Sequence, residues 1–376
     1  MSRDISYVNP RTGGRWPISQ PRWCAPDDHG VLELEEGPGI RRHQINSGEH
    51  SLWRYAAALR GVRRTVSLNE GWSPLLQVKW NGRSVHAKAD HMSPSGSFKD
   101  RGACVLVNYL MNQGIEAVVD DSSGNMGSAL AMYAAAAGIK CRIVCPESTS
   151  AEKKAQIRAF GADLLATPGV RENATSVAMS SPEPWFYATH SMQPFFLEGT
   201  KTVAYEIWEQ LGFRAPDAVI APLGQGGNVL GCAIGFEELR TAGEIDRLPR
   251  IYGVQASNCA PLVDAAFNPK NIKPGIASGI QCAEPKRGDR IKTRVAGSGG
   301  ALLAVSDDEI TVALRSFLLQ GLYVEPTTAV VGAAATRLFE ENAIQPHETV
   351  VILLTGHGLK TAATINSVLH LTENPK

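Results

Sequence analysis

The 376-residue chain has no excess of charge of either sign: 37 basic residues stand against 37 acidic ones, a formal net charge of zero. That balance leaves no strongly basic face for gripping nucleic acid or an anionic membrane surface, so neither is expected as a partner. No apolar run reaches the ~18–20 residues that a membrane-crossing helix needs, and the opening stretch MSRDISYVNPRTGGRW holds no apolar core of a secretory signal. A cytoplasmic protein is the expectation. Cysteine is sparse and scattered: Cys24, Cys104, Cys141, Cys145, Cys232, Cys259 and Cys282 follow no disulfide or zinc spacing. Cys141 and Cys145 flank RIV and read as core positions of a strand, and RWCAPDDHG offers one cysteine and one histidine with no second pair nearby. No metal is expected. Also missing are an internal repeat, a GxxxxGK[ST] phosphate loop and the GxGxxG dinucleotide fingerprint, since Val229 falls where a third glycine counted from Gly224 would stand.

What is present is a globular composition, 43% hydrophobic and 20% charged, over a length that favours two domains. Residues 1–50 are rich in proline, glycine and charge and read as an irregular arm with at most short strands. From about residue 65 short apolar runs alternate with alanine-rich helical stretches, the pattern of an α/β protein with a parallel sheet. EAVVDD, CRIVCP, ADLLA, DAVIAP, RIYGVQA and TVVILL read as strands. MGSALAMYAAAAGI, AEKKAQIRAF, TKTVAYEIWEQLG, NVLGCAIGFEEL, SDDEITVALRSFLLQ and TTAVVGAAATRLFEEN read as helices, the fifth opened by a Ser306/Glu309 capping box. Residues 256–300 are marked by proline and glycine, with little regular structure expected.

In open α/β sheets ligands sit at the carboxyl ends of strands, and four such loops carry chemistry. SGSFKDRGA sets Lys99 among small and aromatic neighbours; a solvated lysine gains nothing from them, whereas a lysine that must lose its proton needs a shaped, partly dry place. SSGN, Ser122 to Asn125, joins a strand to a helix N-terminus, where free N–H groups and the helix dipole favour an anion such as a carboxylate. GQGGN, covering Gly224, Gln225, Gly226, Gly227 and Asn228, is either a tight turn or a backbone cradle for a phosphate. TGHGLK places the Thr355 hydroxyl at the end of an apolar strand, either capping its own turn or facing a ligand. Together a lysine, a phosphate loop and a neutral hydroxyl suit pyridoxal 5'-phosphate.

These motifs, in this order, resemble the pyridoxal-phosphate enzymes of fold type II, the tryptophan synthase β-like superfamily, and within it the threonine synthases, over roughly residues 65–365. PFFLEGTKTVAYEI and YVEPTTAV fit the same group, and TGHGLK favours the threonine synthase branch over dehydratases, which end in a serine-bearing glycine loop. The group's GEGxTPL stands here as NEGWSPLL, with Asn69 for glycine and Ser73 for threonine. The resemblance implies two open, mainly parallel sheets flanked by helices, a large cofactor-binding domain from 51–92 and 197–376, a small domain from 93–196, and a homodimer.

It also implies roles. Lys99, beside Phe98, would bind the cofactor's aldehyde, exchange it for the substrate amine and then take the Cα proton as a neutral base. Asn125 would donate to the ring's phenolic oxygen, Gly224 to Asn228 would hold the phosphate, and Thr355 would face the pyridine nitrogen. Ser122 and Ser123 would seat the carboxylate of an amino-acid substrate. Implied is the conversion of O-phosphohomoserine and water to threonine and phosphate, with Arg101, Lys153, Lys154, Arg158 and Lys201 available to a second phosphate. The alternative is β-elimination or β-replacement on serine, threonine or a phosphoserine-like amino acid. A ligand sensor on the same scaffold would have no need of Lys99.

Overall fold

The computed structural model describes residues 5–122, 124–147, 149, 151–168 and 171–371, and the backbone only at 151–153 and 171. In chain order, β1 (Ser6–Val8), β2 (Arg15–Pro17) and β3 (Glu33–Leu34) precede a hairpin of β4 (Leu75–Trp80) and β5 (Arg83–Lys88). An alternation follows: α1 (Lys99–Asn112), β6 (Ala117–Asp120), α2 (Asn125–Ala137), β7 (Lys140–Pro146), α3 (Ala151–Ala159), β8 (Asp163–Thr167), α4 (Arg171–Met179) and β9 (Phe186–Tyr187). Next come α5 (Phe195–Thr200), α6 (Thr202–Gln210), β10 (Ala218–Pro222), α7 (Gly227–Thr241), β11 (Arg250–Ala256) and α8 (Gly288–Gly297). The chain continues with β12 (Leu302–Val305), α9 (Asp307–Leu319), α10 (Pro326–Glu340), β13 (Val350–Leu353) and α11 (Ala362–Leu369). It forms two compact units, Met1–Trp72 with Lys99–Thr202 and Ser73–Phe98 with Val203–Lys376.

The first unit is built on a parallel sheet ordered β8-β7-β6-β9. Its strand β6 is buried along its whole length, as an apolar run covered on both faces should be. Cys141 and Cys145 lie buried on β7. The arm belongs to this unit and contributes a small antiparallel sheet, β2-β1-β3. Tyr7 of β1 anchors it: its ring meets Tyr109 and Phe195 edge-on at 6.4 and 6.1 Å, and its hydroxyl contacts that of Tyr109 at 2.5 Å.

Glu70 ties the same unit together from inside. Fully buried, its carboxylate accepts from Trp53 Nε1 (3.0 Å), Ser67 Oγ (2.9 Å), the Leu68 N–H (2.8 Å), Tyr133 Oη of α2 (2.8 Å) and Cys104 Sγ of α1 (3.1 Å). Burial first, then the neighbouring Glu70 charge, pushes the Cys104 thiol up.

The second unit carries a six-stranded sheet ordered β12-β11-β10-β13-β5-β4, parallel except for β4 against β5. Both α9 and α10 cover it. Ser306 and Glu309 form the expected capping box at the start of α9, and Pro326 opens α10. Trp80 stacks at 4.4 Å on Phe317 and donates from Nε1 to Gly332 O at 3.0 Å.

One stretch is more regular than its composition indicates. Within 256–300 the chain forms α8, whose inward residues are Ile291 and Val295, two anchors in ten residues and too few to announce a helical period. Among the described residues no helix is long and apolar enough to cross a membrane.

Helices α1 and α5 meet at Gly199, where a Cβ would stand 2.0 Å from Arg101 O. The contact is with backbone, so Gly199→Ala must push the helices apart, at an expected cost of about 2 kcal/mol or more. A lower melting midpoint for that variant is the expected outcome; an unchanged midpoint contradicts the packing described.

Candidate active site

In the first unit the carboxyl end of β6 runs through Asp120, Asp121 and Ser122 into α2. Ser123 lies outside the described residues. Helix α2 starts at Asn125 with Gly124 at its N-cap, no side-chain cap and no acidic residue in its first turn, so the positive end of its dipole favours an anion. Lys99 is the first residue of α1 and is half-buried. Its Nζ lies 5.3 Å from the ring centroid of Phe196, and that aromatic floor, absent from the expectations above, comes from the α5 segment PFFLEG.

Of the proposed cations, Arg101 and Lys201 are fully buried: Arg101 Nη1 donates to Thr202 Oγ1 at 3.2 Å and Lys201 Nζ pairs with Glu198 Oε2 at 2.9 Å. Lys154 Nζ donates to Glu147 O at 2.7 Å, Arg158 is exposed, and the Lys153 side chain lies outside the described residues.

In the second unit Gly224 to Asn228 link the fully buried β10 to α7. Gly226 is the N-cap at φ +86°, and a Cβ there would meet Ile291 Cδ1 at 2.3 Å, so both conformation and space require glycine. No side chain caps α7, its first turn carries no acidic residue, and Asn228 is buried with Oδ1 lacking a hydrogen-bond partner. Gln225 Oε1 accepts from the Lys286 N–H at 3.2 Å.

Thr355 is not capping its own turn. Its hydroxyl lies 3.0 Å from that of Thr328 in the first turn of α10, while Thr328 Oγ1 accepts the N–H groups of Thr355 (3.2 Å) and Gly356 (3.0 Å). A hydroxyl has one hydrogen and two lone pairs. Thr328 Oγ1 also lies 3.3 Å from Gly356 O, to which it can donate, so either hydroxyl can supply the hydrogen of the contact between Thr328 and Thr355. The sequence did not single out Thr328, although YVEPTTAV contains it.

The loop that leads to Lys99 is zipped to the Thr355 loop. His91 N donates to Leu354 O (2.8 Å), Phe98 N to Thr355 O (3.0 Å), His357 N to Gly96 O (3.0 Å) and Lys360 Nζ to Ser95 O (2.9 Å). His91 and His357 stack at 5.9 Å. Burial, then the charge of His357, pushes the His91 imidazole down to about 4.

The two departures in NEGWSPLL are accommodated differently. Asn69 sits at φ +60°, a left-handed position that asparagine tolerates where glycine is the usual choice. Ser73 Oγ donates to Asp90 Oδ1 at 2.6 Å, and Ser73 O accepts from Lys88 Nζ at 2.6 Å.

Residues 66–356 match the family described as pyridoxal-phosphate dependent enzyme. The chain belongs to this family. It is 35% identical over 352 residues to threonine synthase of Methanocaldococcus jannaschii, covering 88% of this chain and 87% of that protein. Threonine synthase of Methanosarcina acetivorans is 34% identical over 332 residues, covering 85% and 82%. Among solved structures, the fungal L-serine ammonia-lyase from Rhizomucor miehei superposes with a TM-score of 0.68 at 22% identity, over 79% of this chain and 97% of that one, which shows the shared fold type.

The residues present fit the family's cofactor, pyridoxal phosphate. A loop whose Gly226 is left-handed and a helix start with no side-chain cap suit its phosphate. The neutral Thr355 hydroxyl suits the pyridine nitrogen, and the Lys99 amine beside Phe196 suits its aldehyde.

The buried histidine makes stability depend on pH. Above the usual histidine value of ~6.5 both folded and unfolded chains carry it neutral. Below that, the unfolded chain takes a proton that the folded one refuses until about pH 4, so stability falls as pH drops through this window, by up to about 3 kcal/mol. In urea titrations His91→Gln is expected to lose less stability than the parent between pH 7 and 4.5; an equal loss contradicts this.

Proposed function

We propose that the protein is a pyridoxal-phosphate-dependent carbon–oxygen lyase of threonine synthase type, converting O-phosphohomoserine and water to threonine and phosphate. The observation that carries the reading is the 35% identity to a threonine synthase across 88% of the chain, with the Thr355 hydroxyl in TGHGLK as its chemical counterpart. Bound pyridoxal phosphate supplies an aldehyde for the substrate amine and a ring that withdraws the electrons of the Cα–H bond. Lys99 would hold that aldehyde, and its Nζ would take the Cα proton of the substrate. The Phe196 ring lies beside that amine, its centroid 5.3 Å from Nζ.

Gly224, Gln225, Gly226, Gly227 and Asn228 bind the cofactor phosphate through N–H groups. Thr355 would face the pyridine nitrogen with a neutral hydroxyl, which would make the ring a milder electron sink than a carboxylate partner would. Asn125 donates to the phenolic oxygen, and Phe98, bonded through its N–H to Thr355 O, borders the ring. Ser122 and Ser123, backed by the uncapped start of α2, seat the substrate carboxylate. In this reading the protein works in the cytoplasm as a homodimer, as its motifs imply.

One observation favours the second reading, β-elimination or β-replacement on serine, threonine or a phosphoserine-like amino acid. Arg101 and Lys201 are committed to Thr202 and Glu198 rather than offered to a substrate phosphate. Incubation of the holoenzyme with O-phosphohomoserine, threonine and phosphoserine separately decides between them. Threonine and phosphate from the first alone are expected; a 2-oxo acid and ammonia from threonine or phosphoserine, with no threonine formed from the first, would overturn the primary reading.

A further inference from the structure

In the unit that carries Lys99, two neighbouring parallel strands bring a carboxylate and an imidazole to the ligand end of the sheet. Strand β6 ends at Asp120; β9 pairs beside it and ends at Tyr187, three residues before His190. The Ala188 N–H donates to Val119 O at 2.8 Å, which extends the pairing toward Asp120, and the Gln193 N–H closes a turn onto Thr189 O at 3.0 Å. His190 Nδ1 thereby lies 3.9 Å from Asp120 Oδ2, with side chains 7% and 0% exposed. This is longer than a hydrogen bond, and it places the carboxylate beside the imidazole in a buried setting where any charge on the ring would be poorly screened. The neighbouring Asp121 is committed elsewhere, accepting from Thr175 Oγ1 at 2.5 Å and Tyr187 Oη at 3.1 Å.

The other face of the imidazole meets Phe196, centroid to centroid at 5.5 Å and 64°. The same ring lies 5.3 Å from Lys99 Nζ. The amine and the imidazole therefore share one ring and can be no farther apart than these two distances combined, a span that a small amino acid covers. A buried His–Asp pair far from ligands would be a costly way to stabilise a fold. Here it stands at the strand end that opens directly into the SSGN loop, where ligands of α/β sheets bind.

We propose that His190, oriented by Asp120, is the acid that protonates the departing oxygen of the substrate side chain, a role that rests on the lyase reading above. The bond between the substrate carbon and that oxygen breaks with both electrons leaving on oxygen, which receives the imidazolium proton. The carbon regains a pair from the neighbouring Cβ–H bond, whose proton passes to Lys99 after that amine has released the Cα proton to water. Transfer of that proton through water to His190 restores both groups, so the departing species gains one hydrogen and the substrate loses one. Phosphate leaving from a monoester dianion needs such a proton, since unprotonated phosphate is a poor leaving group, and one amine cannot be base and acid at once.

The test uses holoenzyme, its His190→Asn and Asp120→Asn variants, and two substrates, O-phosphohomoserine and 2-amino-4-chlorobutanoate, whose chloride leaves without a proton. Exchange of the Cα hydrogen with D2O is followed beside release of phosphate or chloride. Phosphate release is expected to fall by about 100-fold in His190→Asn, less in Asp120→Asn, with Cα exchange and chloride release as in the parent. Equal slowing of both leaving groups, or of neither, overturns the proposal. A parent enzyme that exchanges no Cα hydrogen overturns the lyase reading itself, and the proposal with it.

Discussion

Glu70 is a buried carboxylate whose five donors come from the segment before it, from α1 and from α2, and the geometry of the first unit hangs on it. Taking a carboxylate out of water costs several kcal/mol, and only a full set of donors offsets that. The consequence reaches the chemistry through the helices. Lys99 opens the helix that carries Cys104, and Asn125 opens the helix that carries Tyr133. By binding both at once, Glu70 fixes the starting points of the two helices relative to each other. The uncharged Cys104 thiol beside it is thus part of the frame rather than a reactive group.

Polar groups at the strand ends follow the same accounting. In the second unit Thr328 satisfies the N–H groups of Thr355 and Gly356 and contacts the hydroxyl of Thr355. The α7 start has no side-chain cap and no acidic residue in its first turn, which leaves its leading N–H groups for an anionic ligand. Groups that the interior does satisfy, such as Lys88 with Glu206 at 2.6 Å, or Lys201 with Glu198, belong to the scaffold. The distinction between finished and unfinished polar groups separates architecture from site better than charge does.

Much of this was legible in the sequence because it is local. The capping box at Ser306 and the apolar runs of β6, β7, β10, β11 and β13 depend on neighbours within a few residues, and the structure places them as expected. The loops with chemistry were legible for a related reason, since a glycine cradle and a strand-end hydroxyl are contiguous words. What was not legible is what long-range pairing creates. Strand β9 has two residues and exists only because β6 lies beside it. Glu70, Thr328, Phe196 and His190 acquire their meaning from partners far along the chain, and α8 shows too few buried residues to mark its period. Asn69 looked like a departure from the family's glycine, yet its left-handed backbone keeps the same turn.

The central claim is that the ε-amine of Lys99 is the group covalently joined to pyridoxal phosphate, and it has a direct measurement. Reduction of the holoenzyme with borohydride, followed by proteolysis and mass spectrometry, is predicted to find the phosphopyridoxyl mass on the peptide containing SFKDRG, at Lys99. The label on another lysine, or on none, would contradict the account.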